Sequence, residues 1–240
     1  MKLLLMTIAL LLPISSVTAR PTSAFWTPCT TDTVAEKTLH VNANGYCHLS
    51  HDKHAPCTLD LGLEIGALSW NNINTELGVD YWNSRSDHVY FNGKVAVPEG
   101  VLCFDNAPSL SVGFFNAATM HRKNQTVVDI VAGKALPRDG GRAFIGLFQG
   151  GHGFGKNRGG VMLAYEKKFY PVKDAQDKEF DRWKLVADFA TGKNAIGGGG
   201  VGITYYFTPV ISLNAGPVWF TDRRKNGHWK LAIQFDMDIV

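Results

Sequence analysis

From residue 38 onward the chain is a succession of short segments in which apolar and polar residues alternate. Leu59-Asp60-Leu61-Gly62-Leu63-Glu64-Ile65 has an aliphatic side chain at every odd position and an acid or glycine at every even one, and residues 229–239 repeat the pattern. Successive side chains of a strand point to opposite faces, so a period of two gives each segment one apolar and one polar face. Twelve strands are predicted, near residues 39–49, 59–68, 73–82, 88–96, 109–116, 126–134, 142–148, 159–167, 182–190, 198–207, 210–220 and 229–239. Gly, Pro, Asn and Asp separate them, as turn residues do. No segment has a helical period, and polar residues 173–183 read as a loop. There is no linker and no shift in composition, so residues 25–240 form one all-β domain.

Strands of about ten residues are long enough to cross an outer membrane at a tilt. The predicted fold is an antiparallel up-and-down transmembrane β-barrel of about 12 strands. A soluble barrel or sandwich has the same alternation but turns its apolar face to a core. Three features favour the membrane. Glycine is frequent on the polar face, at Gly62, Gly66, Gly78, Gly113, Gly133 and Gly197 to Gly200, which suits a crowded interior. Aromatic residues gather near strand ends, at Trp70, Tyr81, Trp82, Tyr205 to Phe207, Trp219, Phe220 and Trp229, as in interfacial girdles. The links also fall into two alternating classes. With the N-terminal segment on the periplasmic side, links 69–72, 98–108, 137–141, 169–181 and 208–209 lie on that side. The opposite links, which include 50–58, 117–125, 149–158, 191–196 and 221–228, are on the whole longer and rich in Gly and basic residues. Two links, at 98–108 and 169–181, are long for periplasmic turns.

Residues 1–24 change the picture by assigning a compartment. Lys2, the apolar run Leu3 to Leu12 and a small-residue site ending at Ala19 or Ala24 read as a secretory signal peptide. The mature chain then begins with a short periplasmic segment ahead of the first strand. Four cysteines in an exported chain suggest two disulfides. The strand order puts Cys47 and Cys57 on either side of the first outer loop, and Cys29 and Cys103 both on the periplasmic side. A disulfide needs Cα atoms within about 7 Å and the apolar band is about 25 Å tall, which leaves Cys47 with Cys57 and Cys29 with Cys103. The net charge of +3 gives no reason to expect a nucleic-acid partner.

The hairpins Leu63-Glu64-Ile65-Gly66 through Asn74-Thr75-Glu76-Leu77-Gly78-Val79-Asp80-Tyr81, and Gly202-Ile203-Thr204-Tyr205-Tyr206-Phe207-Thr208-Pro209 through Ser212-Leu213-Asn214-Ala215-Gly216, resemble periplasmic hairpins of Gram-negative outer-membrane porin-like barrels. Asp188-Phe189-Ala190-Thr191-Gly192-Lys193-Asn194 resembles a strand leaving into an outer loop in uncharacterised members of that class. The resemblance implies a barrel in the outer membrane with the lipid bilayer as its partner. In one departure, such barrels usually end in an aromatic residue and this chain ends Asp238-Ile239-Val240.

Candidate chemistry lies on the inward face. Asp60, Glu64, Glu76, Asp80, Asp236 and Asp238 form an acidic wall if the last strand closes on the first. Lys94, Arg142, Lys168 and Lys184 form a basic wall opposite or beside it. Such a lumen either carries a transverse field that selects solutes or is closed by salt bridges. Histidines 40, 48, 51 and 54, with Asp52, crowd the first hairpin, but their spacing fixes no metal geometry and no metal is assigned. Gly150 to Lys156 lacks the spacing of a phosphate loop and reads as a flexible loop. His88 with Asp87 and His228 with Asp222 are the only acid–base pairs, without an evident nucleophile, so no catalytic residue and no cofactor is assigned. The pattern predicts a pore or passive channel with a charged lumen for small polar solutes. The alternatives are a soluble exported β-barrel binding protein and an outer-membrane enzyme acting on lipid or peptide.

Overall fold

A computed structural model describes residues 23–49, 57–83, 88–102, 104–118 and 125–239. Residues 1–22 of the predicted signal peptide, Asp52, His51 and His54, Asp87 and Cys103 lie outside the described residues.

Twelve antiparallel strands follow one another around a closed barrel. They are β1 (Leu39–His48), β2 (Thr58–Trp70), β3 (Ile73–Trp82), β4 (Val89–Val97), β5 (Ser109–Ala118), β6 (Val127–Ala135), β7 (Arg142–Gly150), β8 (Gly159–Lys173), β9 (Glu179–Ala190), β10 (Gly198–Thr208), β11 (Ile211–Phe220) and β12 (Lys230–Ile239). Closure is made by β1 and β12, which pair from Leu39 with Ile239 to His48 with Lys230. A closed sheet leaves no edge whose amides lack partners. Between β11 and β12 one short helix, α1 (Arg223–Asn226), interrupts the link.

The links separate a turn end from a loop end. At the turn end Asn71 and Asn72 join β2 to β3 with both backbone φ angles positive, at 48° and 65°, which is the turn that matches strand twist. The long link expected at residues 169–181 is shorter than the sequence implied. β8 continues to Lys173 and β9 starts at Glu179, because Pro171, Val172 and Lys173 pair with Asp181, Phe180 and Glu179. The polar stretch at 173–183 is therefore largely strand, its alternation hidden by charged residues on a hairpin that extends past the barrel wall.

Burial runs opposite to that of a soluble barrel. Leu61, Leu63, Ile65, Leu77, Ile145, Leu147 and Ile203 face outward and are exposed, while Asp60, Glu64, Glu76, Lys94, Lys184 and Asp236 point inward and are buried. Both sets follow the alternation of their strands.

The largest departure concerns residues 23–38. Expected in the periplasm below the barrel, this segment instead passes through the barrel interior from the loop end to the turn end. Phe25 is 1% exposed, and Thr27, Cys29, Thr30 and Val34 are also buried. Its rings fill space that the glycines of the inner face leave open: a β-carbon at Gly200 or Gly202 would collide with Phe25. At the turn end Glu36 bridges to Gly66, and Lys37, with a φ of 63°, turns the chain into β1. A β-carbon at Gly66 would strike the carbonyl of Ala35. Here the crowding read from these glycines has a specific cause, since the chain's own N-terminal segment passes over them.

Candidate functional site

The interior is built from strand parity and the threaded segment together. Near the loop end, Asp188 on β9 is fully enclosed and accepts hydrogen bonds from the backbone N–H groups of Phe25 (3.0 Å), Trp26 (2.7 Å) and Thr27 (2.6 Å) and from the Thr27 hydroxyl (3.0 Å). The Gly200 N–H adds a fifth donor at 3.2 Å. A carboxylate accepting several amides in a dry site makes strong charge-assisted bonds. Gln234 on β12 gives its amide to the Phe25 carbonyl at 2.9 Å, and the Trp26 indole N–H donates to the Ile196 carbonyl at 2.9 Å. Trp26 also packs edge-on against Tyr46 and Phe220.

Lower in the barrel the segment meets ion pairs. Glu76 lies 3.6 Å from the buried Lys94 and accepts the Val34 N–H at 2.9 Å. Lys94 in turn donates to the Asp32 carbonyl at 2.9 Å. Asp32, on the segment itself, accepts from Arg142 Nη1 with both carboxylate oxygens, at 2.9 and 2.8 Å, and Arg142 also reaches Glu166 at 3.0 Å. Glu166 is 3.7 Å from Lys184. Thr31 and Ser109 share a hydroxyl contact at 2.8 Å. On β1, His40 sits between Asp238 at 2.6 Å and Asp236 at 3.5 Å.

The expected acidic and basic walls are thus present as positions, but they do not face one another across water. In the turn-end half, Glu76, Asp236 and Asp238 are in ion-pair or imidazole contacts, as are Lys94, Arg142 and Lys184. Lys168 stands at the exposed rim with its ammonium 5.9 Å from the Tyr206 ring. Asp60 and Asp80 differ: together with Glu64 they line a cavity of about 440 Å³ at the loop end. There Asp60 accepts from Asn44 at 3.1 Å and Asp80 from Asn92 at 2.5 Å. A second cavity, of about 630 Å³, opens at the turn end beside Asp32, Arg142 and Glu166. The threaded segment lines both, through Ser23 to Pro28 above and Thr31 to Thr33 below.

Other expectations resolve individually. Cys47 and Cys57 form a disulfide at the loop end, their Cα atoms 4.2 Å apart, as the strand order requires. Cys29 is a free thiol within the barrel, and its expected partner Cys103 lies outside the described residues. His40 and His48 occupy opposite ends of β1, so a cluster of the four histidines is not formed by these two. Asp222 caps α1 through the Arg224 N–H, and His88 contacts the Trp82 carbonyl. The Gly150–Lys156 loop, expected to be flexible, is pinned instead. Phe154 is 0% exposed and packs on Phe148, and its carbonyl accepts the Ala195 N–H. One aromatic residue among glycines was the sign of this anchoring.

Residue-by-residue reading missed Asp188 and Gln234 as the segment's partners, and Asp32 as the segment's own contact to Arg142. Strand parity already turned Asp188 and Gln234 inward. The signal that could have revealed their partner is the pair Phe25-Trp26 directly after the cleavage region, too apolar for a solvated tail.

Among solved structures, the chain is similar to the NanC porin, with a TM-score of 0.50 and 11% identity, over 84% of this chain and 99% of that one. The KdgM porin gives a TM-score of 0.47 at 11% identity, over 85% and 98% of the two chains. An outer-membrane channel from Pseudomonas putida F1 gives 0.47 at 12%, over 87% and 97%. At such identities the likeness to the first is one of fold, a closed antiparallel barrel of porin type. No protein-family model matches the chain, and no curated protein sequence does.

Proposed function

We propose that the protein is an outer-membrane channel for small polar solutes whose conduction path is constricted by its own N-terminal segment. The observation that carries this reading is the inverted burial of a closed barrel: aliphatic side chains outward and exposed, carboxylates and ammonium groups inward and enclosed. Water on the outside would leave that belt as a large apolar patch, which soluble proteins avoid, whereas a bilayer solvates it. Two aromatic levels support the same placement. Trp70, Phe169, Tyr170 and Phe207 are exposed near the turn end, and Tyr81 and Trp229 near the loop end. Amphipathic rings at both strand ends match the two membrane interfaces.

A passive pore needs a continuous path. Here cavities at the two ends are divided by residues 23–38, so conduction depends on how far that segment yields. The test combines location with current. The mature chain fractionates with outer membranes and resists carbonate extraction. In planar bilayers it gives small steps, and deletion of residues 25–36 gives larger ones. Recovery in the soluble periplasm refutes the membrane assignment. Absence of conductance in both the full chain and an inserted deletion variant refutes the channel.

A further inference from the structure

The loop-end cavity is walled by carboxyl groups and aromatic rings, both of which attract cations. Asp60, Glu64 and Asp80 line it, and the only lysine among its lining residues, Lys230, has its ammonium 5.4 Å from the Phe220 ring. Trp26, Tyr46 and Trp82 supply aromatic surface, with Tyr46 stacked on Trp82 at 5.9 Å and edge-on to Trp26 at 5.6 Å. Asp60 is 5% exposed, and while one of its oxygens is held by Asn44, the other has no hydrogen-bond partner among the described residues. A buried carboxylate oxygen left without a donor is unfavourable unless a ligand supplies one. Its neighbours on this face, Asn42 and Asn44, are carboxamides rather than bases.

We propose that this cavity binds a small organic cation, with its ammonium or guanidinium group against Asp60 and Asp80 and its apolar part on the Trp26, Tyr46 and Trp82 rings. Ring faces attract cations through their quadrupole, and a desolvated site strengthens both that attraction and the pairing with carboxylate. The cavity's volume of about 440 Å³ lies in the range of small-molecule sites, roughly 300 to 1,000 Å³. A bare metal ion is the poorer fit: among the described residues no three His, Cys, Asp or Glu side chains are grouped to coordinate one. The inference deepens the channel reading by naming a solute class for its loop-end mouth, and it rests on that reading only for the route by which the solute arrives.

The experiment is equilibrium binding to the full mature chain in detergent micelles, read by calorimetry and by tryptophan fluorescence, since Trp26 and Trp82 line the cavity. The probes are choline, guanidinium, and 3,3-dimethylbutan-1-ol as the uncharged shape of choline. Choline or guanidinium binds saturably and changes the emission, and the neutral alcohol binds at least about tenfold more weakly, a difference of about 1.4 kcal/mol. Asp60→Asn and Asp80→Asn, which keep side-chain shape, each weaken the cation by a similar factor, while Glu76→Gln at the turn end leaves it unchanged. Equal binding of the neutral alcohol, an unaltered affinity in Asp60→Asn, or no saturable binding of either cation overturns the proposal. Because binding is read without a bilayer, a barrel that conducts nothing can still pass this test and a conducting one can fail it.

Discussion

In the turn-end half of the lumen, Glu76 has Lys94, Asp32 and Glu166 share Arg142, Lys184 stands beside Glu166, and His40 lies between Asp236 and Asp238. In the loop-end half, Asp60 and Asp80 have carboxamide neighbours and a cavity in front of them, with no ion pair to any described base. The residue types are the same and the strands continuous, so the difference lies in what each carboxylate faces. Below, ionic partners and segment backbone consume the charges, and the interior is a structural joint. Above, the carboxylates are left for something that is not part of the chain. The segment is also held differently at the two levels, by amide donors converging on one carboxylate above and by dispersed ion pairs below.

The largest expected effect breaks the upper anchor. Asp188→Ala leaves the amides of Phe25, Trp26 and Thr27 without their acceptor in a site that admits little water. With unsatisfied buried donors at about 1 to 3 kcal/mol each, the barrel loses on the order of 4 kcal/mol, measured by denaturant unfolding in detergent. The segment should also come away, so Cys29, shielded in the native chain, becomes open to alkylation and single-channel steps grow. An Asp188→Ala barrel of native stability with Cys29 still protected means that the segment is held elsewhere. Next in size is Glu76→Gln, which takes the paired carboxylate away from the enclosed ammonium of Lys94, at a loss of about 2 kcal/mol. Smaller again is Arg142→Met. Its guanidinium is nearly one-third exposed, so the loss should be about 1 kcal/mol and should shrink as salt rises.

How much of this was legible beforehand depends on the range of the interaction. The β-strands were, because a period of two is a local property: Leu59 to Ile65 and residues 229–239 declare their faces without reference to anything else. The Cys47–Cys57 bridge followed, because two strand ends joined by one loop must lie side by side. The threaded segment was not legible, because residues 23–38 have neither a strand nor a helix period and their partners, such as Asp188 and Gln234, are more than 160 residues away. The pairing of charges was hidden for the same reason. Parity tells that Glu76 and Asp80 point inward, but only the segment's path decides that Glu76 receives the Val34 N–H while Asp80 looks into open space. An excess of acids over bases on the inner face was open to two readings, a field for solutes or closure by salt bridges; part of it serves the segment's backbone donors.

The smallest expected effect sharpens the comparison most, because it concerns sign. The same type of substitution, acid to its amide, should destabilise the turn-end half and not the loop-end half. Glu76→Gln removes one member of a satisfied pair, whereas Asp60→Asn changes an enclosed carboxyl group with one oxygen that has no hydrogen-bond partner among the described residues. The asparagine still accepts from Asn44 and has no charge to desolvate in a site walled by Tyr46 and Trp82. Asp60→Asn should therefore leave unfolding unchanged or raise stability by up to about 1 kcal/mol, as substitutions in sites kept for binding often do. Loss of stability comparable to that of Glu76→Gln would mean that Asp60 has a structural partner after all and that the two halves are built alike. A gain in stability together with weaker choline binding would separate the two halves by function, one holding the barrel shut and the other holding a place for a cation.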